Sequence, residues 1–187
     1  MLSRQPPNFS GRKVNPMAAT ETTSSLETAH RALTRQYATF EVAGAYFGID
    51  VLQVQEVLRY QDKTSVPLAP AVIEGLITLR GQIVTALDMR RRLGLPPRAD
   101  GQIAMNVVVR TEEGAVSLLV DEIGDVVEVD SASFERPPDN LDPAIRDLVR
   151  GIHKLKDRLL LVIDIGQTLN LGTALAEPAE SAGPRRF

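Results

Sequence analysis

Two stretches of this chain repeat one another, and that repeat limits the fold more than any other feature. Ile73 to Leu95 reads IEGLITLRGQIVTALDMRRRLGL, and Val149 to Leu171 reads VRGIHKLKDRLLLVIDIGQTLNL. They align without a gap at a constant offset of 76 residues. Gly75 then matches Gly151, Leu79 matches Leu155, Asp88 matches Asp164, Leu93 matches Leu169 and Leu95 matches Leu171. A shared Gly, Asp and apolar pattern over a whole unit marks an internal duplication.

Each unit reads as strand, turn, strand, helix. Gly75 to Arg80 alternates, with Ile77 and Leu79 on one face and Thr78 and Arg80 on the other, the pattern of a half-buried strand. Gly81-Gln82 is expected to form a two-residue link, with Gly at the first central position of a type II′ turn. Ile83 to Leu87 returns as the second strand. Asp88 is placed to cap a short helix whose Met89 and Leu93 share a face, and Gly94 and Pro96 are stop signals.

The segments before each unit also correspond. YATFEVAG and AYFGID are two strands about Gly44-Ala45, followed by VLQVQEVLRY as one helical turn and a strand. Pro67 and Pro70 then hold VPLAP extended. The order restarts with NVVVR and AVSLLV as a hairpin across TEEG, and Asp121 follows as Asp50 followed AYFGI. EIGDVVEV parallels VLQVQEVL, and ERPPDNLDP parallels the first Pro-flanked link. Each half thus supplies about five short strands and a small helix, which argues for small barrels over a parallel sheet. The expected architecture is all-β with short helices, in two pseudo-equivalent β-barrels side by side.

Residues 1–35 are rich in Pro, Ser, Thr, Asn and Ala without apolar periodicity and read as a disordered leader. Residues 174–187 read as a flexible tail, which leaves 36–173 as the folded part. The leader has little apolar surface to offset the entropy of ordering, so a chain starting near Arg31 is expected to keep its thermal unfolding transition. A fall of several degrees in the midpoint would show that the leader packs on the barrels.

Composition removes several classes of function. A net charge of −3 is too mild for nucleic-acid binding, and the one basic run, Arg90-Arg91-Arg92, reads as a solvated helix face. The chain has no Cys, which excludes thiolate metal sites and suits a reducing cytoplasm. No apolar run approaches the ~18 residues needed to insert across a bilayer. His30 lies in the leader and His153 within a strand, where a structural role is expected, and two His without Cys give no zinc spacing. No phosphate loop, nucleophile elbow or kinase signature is present. Asp50, Asp88, Asp121 and Asp164 each follow an apolar strand, and capping explains all four. Ile163-Asp164-Ile165-Gly166 is similar to the Asp-Thr/Ser-Gly loop of aspartic proteases. However, the paired copy, Asp88-Met89-Arg90, has no Gly, and a shared-proton dyad needs two such loops. An aspartate-based hydrolase using Asp164 stays only as a remote alternative. No catalysis, cofactor or metal is expected.

Read in order, VQEV at 54–57, VPLAP, IEGLITLRGQIVTALDMRRRLGL, VDEIGDVVEV and GIHKLKDRLLLVIDI resemble the CheW family of bacterial chemotaxis coupling proteins. The resemblance covers Tyr37 to Leu171 and leaves no length for a kinase or phosphotransfer domain. It implies two five-stranded Src-homology-3-like barrels about a hydrophobic interface. It also implies a cytoplasmic adaptor, recruited to receptor arrays, that links chemoreceptor tips to the regulatory domain of the CheA histidine kinase. A CheW-like scaffold of a non-flagellar chemosensory pathway is the alternative. Carried over residue by residue, the receptor- or kinase-binding positions are Val54, Glu56, Gly75, Arg80 and Ile83. Thr78 departs from the usual Asn, and Thr85 from a common Pro. Without the resemblance, Arg80 reads as a solvated strand-end cation, Glu56 as an exposed carboxylate, and Val54 and Ile83 as core residues.

Overall fold

The computed structural model describes residues 33–171; the rest of the expected leader, with His30, and the tail lie outside the described residues. The first strand starts at Thr34, three residues ahead of the expected beginning at Tyr37. With it, the described residues form eleven strands in two sheets. In chain order they are β1 (Thr34–Val42), β2 (Ala45–Asp50), β3 (Val54–Leu58), β4 (Ile73–Leu79), β5 (Gln82–Asp88) and β6 (Met105–Thr111). Next come β7 (Gly114–Val120), β8 (Glu122–Asp130), β9 (Phe134–Glu135), β10 (Val149–Lys154) and β11 (Leu159–Ile163). Among the described residues these strands are joined by three short helices, α1 (Met89–Arg92), α2 (Pro143–Arg146) and α3 (Ile165–Leu169), and two 3-10 turns, Val51–Gln53 and Ser131–Ser133.

The two sheets are one design used twice. One runs β3-β6-β7-β5-β4 and the other β8-β1-β2-β11-β10-β9. In both, an antiparallel hairpin joins a second hairpin through a parallel contact, β7 with β5 and β2 with β11. Even the outlying β9 has a counterpart, because Thr64 bridges Leu76 much as Glu135 pairs Ile152. The repeat boundary, however, does not coincide with the barrel boundary. Hairpin β6–β7 belongs to the second half by sequence but pairs with β5 and β3 of the first, and β1–β2 reciprocally joins β8 and β11. The barrel built from β3 to β7 is therefore inserted within the other.

Three cores result. Ile77, Leu79, Val84, Ala86, Val108 and Leu119 fill one barrel, and Tyr37, Tyr46, Val129, Leu160 and Val162 fill the other. The largest cluster lies between them and takes Phe40, Phe47 and Ile163 from one barrel with Leu87, Val107 and Leu118 from its partner. Exchange of hairpins and a shared core make the two barrels one cooperative body.

Gly75 and Gly151 occupy equivalent places, each at a bulge where the pairing register shifts. A Cβ on Gly75 would stand 2.7 Å from the Thr64 carbonyl oxygen, and one on Gly151 would meet the tip of the Phe134 ring. Thr64 is held by reciprocal backbone bonds with Leu76, both 2.8 Å, so it cannot step aside. The Phe134 ring is partly exposed and can swing. Gly75→Ala is therefore expected to cost about 1–3 kcal/mol in denaturant unfolding, and Gly151→Ala less. Equal costs would mean that the Thr64 crossing yields as readily as a side chain.

The helix caps repeat as the offset requires. The Asp88 carboxylate accepts from Arg90 N and Arg91 N at the start of α1, and that of Asp164 accepts from Gln167 N at the start of α3. Asp50 caps the first 3-10 turn. Asp121 caps nothing. It lies where the chain passes between barrels, and its carboxylate accepts from Ala43 N at 2.7 Å and from Arg90 at 2.8–2.9 Å. Arg98 stands 2.9 Å from Asp121 and 2.6 Å from Asp88.

This ion network corrects the expectation of a solvated arginine face. Arg90 packs, mostly covered, against Asp121, Arg91 pairs with Glu74 at 2.8 Å, and Arg92 donates to the Thr168 and Gln167 carbonyls that end α3. A cation at a helix C-terminus opposes the partial negative charge there. Only Arg91 keeps substantial exposure, and α1 is tied by arginines to both barrels.

Candidate functional site

The hairpin β4–β5 carries three of the predicted site residues, and its turn differs from the expected one. Leu79 pairs with Gln82, so the central residues are Arg80 and Gly81. Their φ values are +48° and +82°, both in the left-handed region, which makes this a type I′ turn shifted one residue from the expected Gly81-Gln82. For Arg that conformation costs about 1–2 kcal/mol, because Cβ crowds the following carbonyl. The hairpin β1–β2 uses the same device at Ala43-Gly44, one residue before the expected Gly44-Ala45, and there Asp121 binds the Ala43 N–H. At Arg80 the compensating contact comes from the side chain. Its Nη2 donates to Glu56 Oε2 at 2.9 Å.

That ion pair joins opposite edges of the sheet. Glu56 is on β3 and Arg80 follows β4, the first and last strands of their order, so the sheet curls until its edges meet. Alternation along β3 turns Val54, Glu56 and Leu58 inward and Gln55 and Val57 outward. Glu56 is thus not the exposed carboxylate that its residue type suggests: its side chain is 14% exposed, and Oε1 is buried with no hydrogen-bond partner among the described residues. An unsatisfied buried acceptor costs about 1–3 kcal/mol. Arg80 itself is 80% exposed and covers the carboxylate from outside.

Ile83 is not a core residue. It stands cross-strand from Thr78 beside the turn and is 73% exposed. Val57 is also exposed, on the outer face of β3. Val54 is half-buried against the core between the barrels. Gly75 lies at the far end of β4, about 16 Å from Arg80 at the rise of an extended strand, and serves the Thr64 crossing. The structure therefore brings Glu56, Arg80 and Ile83 to one end of one barrel, with Val54 beneath and Gly75 apart. Thr85 sits mid-strand in β5, paired with Leu76 on one side and Val116 on the other.

The candidates for acid–base chemistry are held in structural roles. His153 is fully buried between the Tyr37 and Phe134 rings, with Nδ1 2.8 Å from Ser133 Oγ. Burial, aided by Arg35, lowers its pKa, so the neutral ring is the native form. Asp164 spends Oδ1 on the Gln167 N–H, and its backbone oxygen accepts from Thr168 Oγ1 at 2.7 Å.

Residues 36–172 match the CheW-like domain, nearly all of the described chain. The chain belongs to the CheW family. Among its relatives, the chemotaxis protein CheW of Bacillus subtilis is 30% identical over 145 residues, covering 78% of this chain and 90% of that protein. The chemotaxis protein CheW of Treponema pallidum is 26% identical over 134 residues, covering 70% and 79%. In three dimensions the chain is similar to the scaffolding protein TtCheW from Thermoanaerobacter tengcongensis, with a TM-score of 0.64 and 29% identity over 71% of this chain and 90% of that one. CheW-family proteins are chemotaxis scaffolds and not enzymes, so the two barrels are a coupling module, and the hydrolase alternative is left without support. Among the described residues no helix is long and apolar enough to cross a membrane.

Proposed function

We propose that this adaptor couples the cytoplasmic tips of chemoreceptors to the regulatory domain of a CheA-type histidine kinase. In this reading it works in the cytoplasm at membrane-associated arrays, and the end of the barrel carrying Glu56, Arg80 and Ile83 touches the receptor. The carrying observation is Arg80: a mostly exposed guanidinium held in a strained turn over a carboxylate, with a bare Ile83 alongside. Strain kept at an exposed turn needs a use, since Gly in its place would remove it. The surface offers an aliphatic contact and a planar donor fork, which fits a partner helix presenting apolar side chains and a carboxylate or carbonyl. With aromatic residues only 4% of the chain, there are few large anchors. Moderate contacts multiplied across an array are then the way to lasting assembly.

Co-sedimentation with receptor-tip assemblies and kinase, added singly and together, tests the reading. The adaptor should pellet with receptor assemblies alone and bring the kinase down with it when both are present. Failure to pellet with either would end the proposal. Capture by the receptors and kinase of a motility system without flagella would favour the alternative pathway over the flagellar one.

A further inference from the structure

The barrel that does not carry Arg80 has a groove of about 370 Å³. It is lined by the fully buried Tyr37, by Leu52, 81% exposed, and Phe134, and by the polar Gln53 and Ser131. Three charged side chains line it: Arg35 from β1, Arg150 from β10, and Asp50, which also accepts from Leu52 N at 3.0 Å. Arg150 is the residue that the β10–β11 pairing skips between Val149 and Gly151, and a bulge of this kind re-aims a side chain. Among the described residues neither guanidinium has a carboxylate within salt-bridge distance. The arginines of the network between the barrels differ, since Arg90 and Arg98 pair with Asp121 and Arg91 with Glu74. The Arg35 side chain hydrogen-bonds the Tyr37 hydroxyl, and Arg150 acts on it through charge alone.

We propose that this groove binds a small organic monocarboxylate with an apolar body. The volume is at the lower end for small-molecule sites, which suits a ligand of about one ring. Arginine forks match the two oxygens of a carboxylate. The charge count selects a monoanion, because two guanidiniums facing one carboxylate leave a single uncompensated positive charge, and Asp50 repels a second negative charge on the ligand. The apolar body lies between Leu52 and Phe134. Residues from both 3-10 turns line the groove, so occupancy there links the start of β3 to the start of β9.

Titration of the full chain with benzoate, followed by amide NMR, tests this. Saturable shifts are expected at Leu52, Ser131 and Phe134. Benzylamine, of the same shape and opposite charge, should produce none, and inorganic phosphate should bind at least about tenfold more weakly than benzoate. Arg150→Gln should weaken benzoate by about tenfold or more, with Arg150→Lys between the two. If Arg150→Gln lowers the unfolding midpoint, Leu52→Asp at the exposed rim carries the same expectation. Equal binding of benzylamine or phosphate, no saturation by about 20 mM benzoate, or unchanged affinity in the folded variant overturns the proposal. None of these outcomes touches receptor coupling, which is assigned to the other barrel.

Discussion

Asp121→Asn is expected to lower the unfolding free energy by about 3–5 kcal/mol, the largest loss of any polar substitution in the protein. The reason is what it leaves behind. Asp121 is 8% exposed and stands against two guanidiniums, Arg90 and Arg98, each largely withdrawn from water. Asn can still accept the Ala43 N–H, but it cannot neutralise two partly buried cations, and Asp88 then faces both alone. In a body of this size the midpoint should fall by roughly 10 °C or more. The pH dependence has a definite sign. Burial pushes the Asp121 carboxyl up, but the hydrogen bonds from Arg90 and Ala43 and the charge of Arg98 together hold it below the ordinary value of 3.8. A depressed carboxylate contributes stability that is complete above its unfolded pKa and lost as pH falls through its folded one. The wild-type protein should therefore lose stability steeply below about pH 4, and Asp121→Asn should flatten that slope. A loss under about 1 kcal/mol at neutral pH would mean that Arg90 and Arg98 rehydrate, and that the network does not lock the barrels.

What was legible in the sequence is what depends on local chemistry. Gly75 and Gly151 mark equivalent bulges, because a neighbouring segment crosses close over each, by its backbone at Gly75 and by the Phe134 ring at Gly151. Asp88 and Asp164 mark equivalent caps because a short acceptor before a helix satisfies its first N–H groups. The exchange of hairpins was not legible. When β1–β2 and β6–β7 are copies of one another, alternation suits both in either barrel, and no local pattern distinguishes the two pairings. The arginine run was misread for a similar reason. Asp121 and Thr168 lie 31 and 76 residues from their arginine partners, beyond any local pattern. Glu56 is a different case, since strict alternation on β3 places it inward with Val54 and Leu58, and only its residue type argued for exposure. The turn register was missed because an Arg in the left-handed region runs against its own preference, and a departure of that kind accompanies a contact worth keeping.

Arg80 is where stability and coupling should separate most widely. Arg80→Ala keeps the left-handed strain and loses a pair whose cation is 80% exposed, and removing that cover opens the Glu56 carboxylate to water, so it is expected to change the unfolding free energy by no more than about 0.5 kcal/mol. Arg80→Gly removes the strain as well and should be at least as stable as the wild type, since relief of about 1 kcal/mol outweighs a surface pair. Both should weaken binding to receptor tips by about 1–3 kcal/mol, roughly 5- to 150-fold, if the guanidinium makes a charge-assisted contact there. Receptor-dependent control of kinase activity should fall with it. Arg80→Lys should recover only part, because a point charge reproduces the attraction but not the planar fork. The Gly variant is the decisive one. A protein more stable than wild type that no longer couples cannot owe its defect to misfolding. Unchanged receptor binding in Arg80→Gly would remove Arg80 from the contact and leave the strained turn without a functional reason. A stability loss in Arg80→Ala well beyond 0.5 kcal/mol would instead make the Arg80–Glu56 pair the clasp that closes the barrel.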